Sequence, residues 1–227
     1  MYPQSNSARS VRDLSGVWDF RFNANEPWQP IAVPASYNDQ SPDPEFRRHY
    51  GMAYYRTTFT VPEGARRVLR FDAVTHNAVV RLNGQEIASH RGGFLPFEAD
   101  ITALAQPGET VTLDVEVDNR IGHSSLPVGN EGGTAFFGPA VEAGKARQQA
   151  QGINLPNFDF FNYAGITRPV HLYTTPAAYI RDVTVAADMT GTLRYTVDTV
   201  GEGSVKVEIL DAEGCVVACA DGAAGTV

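Results

Sequence analysis

Hydrophobic and polar side chains alternate along most of the chain with a period of two residues. In residues 17–22, VWDFRF, the polar Asp19 and Arg21 alternate with Trp18 and Phe20. Side chains of a β-strand point alternately to its two faces, so this pattern predicts a strand with one buried and one solvated face. The same alternation recurs in the segments YYRTTFTV, VVRLNG, TVTLDVEVD, RPVHLYTT and SVKVEIL.

Turn-forming residues separate these predicted strands. Asn83 and Gly84 stand between two β-prone runs, which predicts a hairpin with a type I′ turn, because both central residues of that turn need a positive φ. Many short strands joined by such turns are typical of an all-β sandwich. The one predicted helix covers residues 140–152, inside a stretch from 121 to 158 that lacks the strand pattern.

A change of composition near the segment TTPAAY predicts a domain boundary between residues 178 and 179. After this point small residues are frequent, and Thr alternates with Val. Residues 179–227 are fewer than the ~100 residues of a complete immunoglobulin-like sandwich. We therefore expect a complete β-sandwich domain over 1–178 and a truncated sandwich over 179–227.

The composition is that of a soluble globular protein, with 43% hydrophobic and 19% charged residues. The formal net charge of -8 argues against nucleic acid as a partner, because phosphate backbones are bound by clustered Lys and Arg. No apolar run is long enough to span a membrane, and the N-terminal residues lack the apolar segment of a signal peptide. We therefore expect a cytoplasmic protein with neither a nucleic-acid nor a membrane partner.

Cysteine and histidine positions give no sign of a disulfide or a metal site. Cys215 and Cys219 would share one face of a strand about 13 Å apart, too far to bridge, and we expect buried free thiols. His76 and His90 lack a convergent third ligand for zinc. The acidic loop 39–45 lacks the ligand alternation of a calcium loop. The sequence therefore predicts no metal and no cofactor.

Five longer segments, taken in order, resemble the N-terminal part of family 2 glycoside hydrolases and, within that family, the β-glucuronidases. The resemblance covers residues 14–227 and implies a parent with three parts: a jelly-roll sugar-binding domain, an immunoglobulin-like sandwich and a (β/α)8 barrel. We accordingly expect an all-β chain in which a jelly-roll β-sandwich is followed by a truncated immunoglobulin-like β-sandwich. The segments are LSGVWDFRF, IAVPASYNDQ, AYYRTTFTVP, LRFDAVTHNAVVRLNGQEIASHRGGFLPFEADIT and FFNYAGITRPVHLYTTP.

The resemblance implies that the bond-breaking residues lie outside this chain. Retaining glycosidases use two carboxylates ~5.5 Å apart, and in this family the barrel supplies them. Asn25, Glu26 and Pro27 match the short motif around a catalytic glutamate, but they follow the first predicted strand and fit a surface loop better. We expect no catalytic residue here, a parent that hydrolyses O-glycosyl bonds of glucuronide-type glycosides, and a missing barrel as partner.

The segment NFDFFNYAG, residues 157–165, carries the candidate substrate-binding residues Asp159, Asn162 and Tyr163. By resemblance, Asp159 hydrogen-bonds a sugar hydroxyl, which suits a carboxylate placed among aromatic rings. The alternative is that Asp159 caps a turn. Asn162 could instead bond the backbone, and Tyr163 could lie half-buried with its hydroxyl paired. Gly165 is expected to supply a permissive backbone angle.

Two other functions stay open at this point. The chain could be a freestanding carbohydrate-binding jelly-roll lectin, which would need exposed aromatic rings in a groove of its own. It could also be a structural module that promotes a homo-oligomer, because a partial sandwich leaves unpaired strand edges that favour β-augmentation.

Overall fold

A computed structural model of the chain describes residues 3–122, 125–126, 152–154 and 160–227. The chain divides into two compact units, Met1–Thr174 and Thr175–Val227. The domain boundary between residues 178 and 179 stays a prediction. The predicted helix over 140–152 lies outside the described residues except for Gly152. Within the described part of the chain, no helix is long and apolar enough to cross a membrane.

The described part of the first unit consists of strands and two short helices. Each segment predicted from alternation in this unit coincides with a strand of the structure, so those predictions are confirmed. In chain order the elements are β1 (Ser10–Asp13), β2 (Gly16–Arg21), β3 (Gln29–Val33), a 3-10 helix (Tyr37–Asp39), α1 (Pro44–Arg48), β4 (Met52–Thr60), β5 (Arg66–Phe71), β6 (Val74–Thr75), β7 (Asn77–Leu82), β8 (Gln85–Arg91), β9 (Phe97–Asp100), β10 (Thr110–Asp118), β11 (Gly165–Ile166) and β12 (Val170–Thr175).

These strands form two large antiparallel sheets and one small one. The first sheet has four strands in the order β1-β12-β5-β9, and the second has six in the order β3-β2-β4-β10-β7-β8. Strands β11 and β6 form a separate pair. The turn between β7 and β8 has φ values of 49° at Asn83 and 84° at Gly84, which confirms the predicted hairpin.

The two large sheets share one hydrophobic core. Phe20 of β2 and Val80 of β7 come from the six-stranded sheet, and Leu69 of β5 and Leu172 of β12 come from the four-stranded sheet. Each fully buried side chain of this size stabilises the fold by about 1.5–3 kcal/mol relative to exposure. Two sheets packed through their apolar faces make a β-sandwich, and the predicted all-β sandwich fold is confirmed.

The second unit also consists of antiparallel strands. Strands β13 (Tyr179–Ala187), β14 (Leu193–Val200) and β17 (Ala224–Thr226) form one sheet, and β15 (Lys206–Leu210) pairs with β16 (Val216–Asp221). The predicted strand SVKVEIL is therefore confirmed as β15.

The cysteines of the second unit are free thiols, as predicted, but both are exposed. The prediction that they are buried is wrong. Alternation along a strand tells which side chains share a face, and the face that carries Cys219 has no covering layer among the described residues. The large apolar side chains Val216 and Val217 on the same strand are exposed as well, at 52% and 62%.

Candidate functional site

Residues 160–166 overlap the aromatic segment 157–165 identified in the sequence and run between two other parts of the first unit. On one side, β11 pairs with β6. On the other side, the backbone N–H groups of Ala35 and Tyr37 donate to the carbonyl oxygens of Ile166 and Ala164, both at 3.0 Å. Backbone hydrogen bonds on both edges therefore hold the end of this segment, which we call the 160–166 segment.

Gly165 makes the close packing of this segment possible. Its φ of 123° lies in a region that side chains disfavour. A Cβ atom built at this position would lie 2.6 Å from Oη of Tyr55 and 3.3 Å from the carbonyl oxygen of Ala35. The expected permissive backbone angle is therefore confirmed, and the absence of a side chain also admits the Tyr55 ring.

Asn162 is buried in the middle of the segment, with 2% of its surface exposed. Its Nδ2 donates to the carbonyl oxygen of Asn119 at 2.8 Å, and its Oδ1 faces Nε2 of His76 within hydrogen-bond distance. Its own carbonyl oxygen accepts from Nδ2 of Asn154 at 2.8 Å. Both ends of the amide and the backbone carbonyl are thus used inside the protein.

The partners of Asn162 connect it to distant parts of the chain. Asn119 accepts the backbone N–H of Gly51 at 2.7 Å and donates from Nδ2 to the carbonyl oxygen of His49 at 2.8 Å. The backbone N–H of Asn154 donates to the carbonyl oxygen of Arg48 at 2.7 Å. The end of β10, the end of α1 and the 160–166 segment therefore meet through asparagine side chains.

Asn38 binds the backbone of the segment at Ala164. Its Oδ1 accepts the backbone N–H of Ala164 at 2.9 Å, and its Nδ2 donates to the carbonyl oxygen of Phe46 at 2.9 Å. Asn38 is 1% exposed. We call the set Asn38, Asn119, Asn154, Asn162 and His76 the asparagine network.

Burial controls the charge of the titratable groups around this network. Burial lowers the pKa of His76 below its ordinary value, while the hydrogen bond with Asn162 and the carboxylate of Asp118 act in the opposite direction. Burial also raises the pKa of Tyr37 and Tyr55 well above the ordinary value. The phenols are neutral at physiological pH, and the imidazole of His76 favours its neutral form.

Helix α1 brings a cation to the exposed side of the 160–166 segment. The side chain of Asp43 caps the helix by accepting the backbone N–H of Glu45 at 2.9 Å, and Pro44 occupies the first helical position. Phe46 is 6% exposed and anchors the helix on the core. Arg47, in the last turn, is left exposed.

Arg47 is the centre of a surface group that we call the arginine–aromatic cluster: Asp39, Arg47, Phe161 and Tyr163. The guanidinium carbon lies 3.9 Å from the ring centre of Phe161 and 5.3 Å from that of Tyr163. Arg47 forms an ion pair with Asp39, and its Nη1 lies 3.5 Å from Oη of Tyr163. The hydrogen bond with Tyr163 raises the pKa of Arg47.

The cluster has the chemistry of a surface that can contact a sugar or a second polypeptide. Tyr163 is 43% exposed and Phe160, two residues before Asn162, is 37% exposed. Aromatic faces stack on pyranose rings, and a phenol or a guanidinium can hydrogen-bond hydroxyl and carboxylate oxygens. In contrast, no group of three or more His, Cys, Asp or Glu side chains among the described residues could hold a metal ion.

The three predicted substrate-binding residues differ in what the structure shows of them. Asp159 lies outside the described residues. Asn162 is buried with its amide engaged, as in the alternative given for it, and its direct contact with substrate stays a prediction. Tyr163 is exposed and lies beside Arg47.

Sequence reasoning missed Arg47 and the role of His76. Asp43 and Pro44 are a helix-start signal that could have indicated α1 and hence the position of Arg47. The sequence presents His76 only as a possible metal ligand, since its partner Asn162 is 86 residues away along the chain. No local pattern indicates that pairing.

Fold and surface together define a β-sandwich module. Its hydrogen-bonded 160–166 segment carries aromatic rings that lie beside the guanidinium of Arg47. Residues 11–176 match the family model described as "Glycosyl hydrolases family 2, sugar binding domain". The chain therefore belongs to glycosyl hydrolase family 2, in the region of its sugar binding domain. The resemblance stated from the sequence is confirmed.

Curated relatives and solved structures agree with this assignment. The chain is 36% identical to a β-glucuronidase of Paenibacillus borealis, covering 100% of this chain and 40% of the relative. Its structure matches a β-glucuronidase of Faecalibacterium prausnitzii with a TM-score of 0.84 and 50% identity, covering 42% of that chain. It matches a Bifidobacterium dentium β-glucuronidase complexed with coumarin-3-O-glucuronide with a TM-score of 0.82 and 44% identity, covering 43% of that chain. The chain thus spans about two fifths of the length of these relatives.

Proposed function

We propose that this chain is the non-catalytic, N-terminal sugar-binding portion of a β-glucuronidase-like retaining glycoside hydrolase. The observation that carries the proposal is the match over the whole chain to a β-glucuronidase at 50% identity and a TM-score of 0.84. In this proposal a (β/α)8 barrel outside the chain supplies the two carboxylates of the retaining mechanism. The chain by itself does not hydrolyse glycosides.

The substrate contact that we assign to this chain is Asp159. A carboxylate can accept hydrogen bonds from two vicinal hydroxyl groups, and its charge makes each bond stronger than a neutral one. The exposed rings of Phe160 and Tyr163, which follow it in sequence, offer flat surfaces to a sugar or an aglycone. We propose Tyr163 as a further substrate contact and Asn162 as another candidate.

Removal of the Asp159 carboxylate tests the proposal in the complete protein that carries this chain. We expect Asp159→Ala to lower kcat/KM for p-nitrophenyl β-D-glucuronide by about 5-fold to 150-fold, the equivalent of ~1–3 kcal/mol for a charge-assisted hydrogen bond. Asp19→Ala, which removes an exposed carboxylate from β2, is the matched control and should leave kcat/KM unchanged. An unchanged kcat/KM in Asp159→Ala would contradict the assignment.

The isolated 227-residue chain distinguishes the proposed function from a lectin. As a portion of a larger site it should bind glucuronides at best in the millimolar range, since few contacts remain, and should show no turnover. Isothermal titration with p-nitrophenyl β-D-glucuronide measures the first quantity and release of nitrophenol the second. Micromolar binding would favour the lectin, whereas turnover by the purified chain would refute a non-catalytic role.

A further inference from the structure

His76 lies at the junction of β6 and β7 and is hydrogen-bonded through both its backbone and its ring. It is 1% exposed, and its backbone is bonded on both sides, to the carbonyl oxygen of Asp118 at 3.2 Å and to the N–H of Gly92 at 2.9 Å. The backbone alone therefore fixes its position. The ring is therefore not needed to hold the backbone of His76 in place. Its hydrogen-bond partner is Asn162.

The direction of this hydrogen bond follows from the partners of Asn162. Nδ2 of Asn162 donates to the carbonyl oxygen of Asn119 at 2.8 Å, so Oδ1 is the atom that faces His76. An amide oxygen only accepts, and the donor must be Nε2–H of His76. The neutral ring carries one N–H group, so Nδ1 is unprotonated, and it has no hydrogen-bond partner among the described residues.

We propose that His76 is a positioning residue whose Nε2–H group, through Asn162, fixes the backbone of the 160–166 segment that directly follows Asp159. Asn162 is the point where the segment is tied to β10 as well, through Asn119. Loss of the His76 donor leaves Oδ1 of Asn162 buried without a partner. A buried polar atom without a partner is costly, so Asn162 must move or admit water, and the segment moves with it.

The role of His76 in substrate binding rests on the proposed function of Asp159, but its role in fixing the segment does not. Two substitutions of His76 test whether the hydrogen bond to Asn162, and not merely the size of the side chain, is what matters. The amide nitrogen of Gln lies about as far along the side chain as Nε2 of His, whereas that of Asn lies near the position of Nδ1. His76→Gln should therefore retain the bond to Asn162, and His76→Asn should lose it.

Hydrogen exchange on this 227-residue chain is the first measurement. In His76→Asn we expect amide exchange of residues 162–166 to rise at least about 10-fold, whereas His76→Gln should stay within about 3-fold of the unmodified chain. Ile101→Ala, which creates a cavity beyond the far end of β5, is the control for a general loss of stability. A uniform rise in all three variants, or no rise in His76→Asn, would overturn the positioning role.

Turnover by the complete protein is the second measurement. We expect His76→Asn to lower kcat/KM for p-nitrophenyl β-D-glucuronide at least about 10-fold, mainly through KM, with rescue in His76→Gln. If Asp159→Ala lowers kcat/KM and His76→Asn does not, the link between His76 and the substrate is refuted. If Asp159→Ala has no effect either, the proposed role of Asp159 fails, and the exchange result alone decides the role of His76.

Discussion

Gly165→Ala should be strongly destabilising, and the structure separates two reasons for this. The first reason is backbone conformation, since a non-glycine residue at a φ of 123° costs about 1–3 kcal/mol. The second is steric, because the new Cβ would lie 2.6 Å from Oη of the fully buried Tyr55. Overpacking of this kind adds about 1–3 kcal/mol. The sum, about 2–6 kcal/mol, corresponds to a fall in Tm of roughly 4–24 °C for a unit of this size.

Thermal unfolding of four variants tests both reasons. Gly84→Ala is the matched control for conformation, because Gly84 has a φ of 84° and no atom within 4 Å of its virtual Cβ. Tyr55→Phe removes the obstructing oxygen at a cost of at most about 1.5 kcal/mol. Gly165→Ala with Tyr55→Phe should then be more stable than additivity predicts by about 1–2 kcal/mol. Strict additivity, or equal losses in Gly84→Ala and Gly165→Ala, would refute the steric argument.

Because burial lowers the pKa of His76, the unfolded chain binds a proton that the folded chain resists, so the free energy of unfolding should fall as pH falls below about 6.5. Urea titrations at several pH values between 7.5 and 5.5 give the free energy of unfolding, which should depend less steeply on pH in His76→Gln than in the unmodified chain. Equal pH dependence in the two proteins would contradict the lowered pKa of His76. If Tyr163 contacts substrate as proposed, Tyr163→Phe in the complete protein should lower kcat/KM for p-nitrophenyl β-D-glucuronide by about 2-fold to 10-fold. Tyr173→Phe is the control, and equal effects of the two substitutions would count against the proposed contact. Cys215 and Cys219 are exposed, so both should react with Ellman's reagent in the folded chain, and protection of both would contradict their placement.

The strands and the hairpin could be predicted because their causes are local. Alternation assigns each side chain of a strand to a face, and the Asn83–Gly84 pair specifies the turn between β7 and β8. Burial cannot be predicted from local pattern alone, because it depends on whether another layer covers that face. Cys219 lies on a regular strand and is exposed all the same, since alternation gives no information about a covering sheet.

The site was predictable only in part. The aromatic segment stands out by composition, and Gly165 could be interpreted from its backbone freedom. The contacts that hold the segment could not be found in this way. Asn38 reaches Ala164 across 126 residues, and Asn162 reaches His76 across 86. Single side-chain pairs at such separations leave no periodicity in a sequence.

The chemistry of the asparagine network explains how a segment without strand pairing along most of its length can be held rigidly. An asparagine side chain carries one carbonyl and one NH₂ group, so it can replace a neighbouring strand as a hydrogen-bond partner for the backbone. Asn38, Asn119 and Asn154 each bond a backbone group outside the regular strands and helices. Because every buried amide must find its partners, one arrangement of the 160–166 segment satisfies the network and displaced arrangements leave polar atoms unpaired. Side-chain amides can in this way fix a segment of a β-sandwich that has little strand pairing of its own.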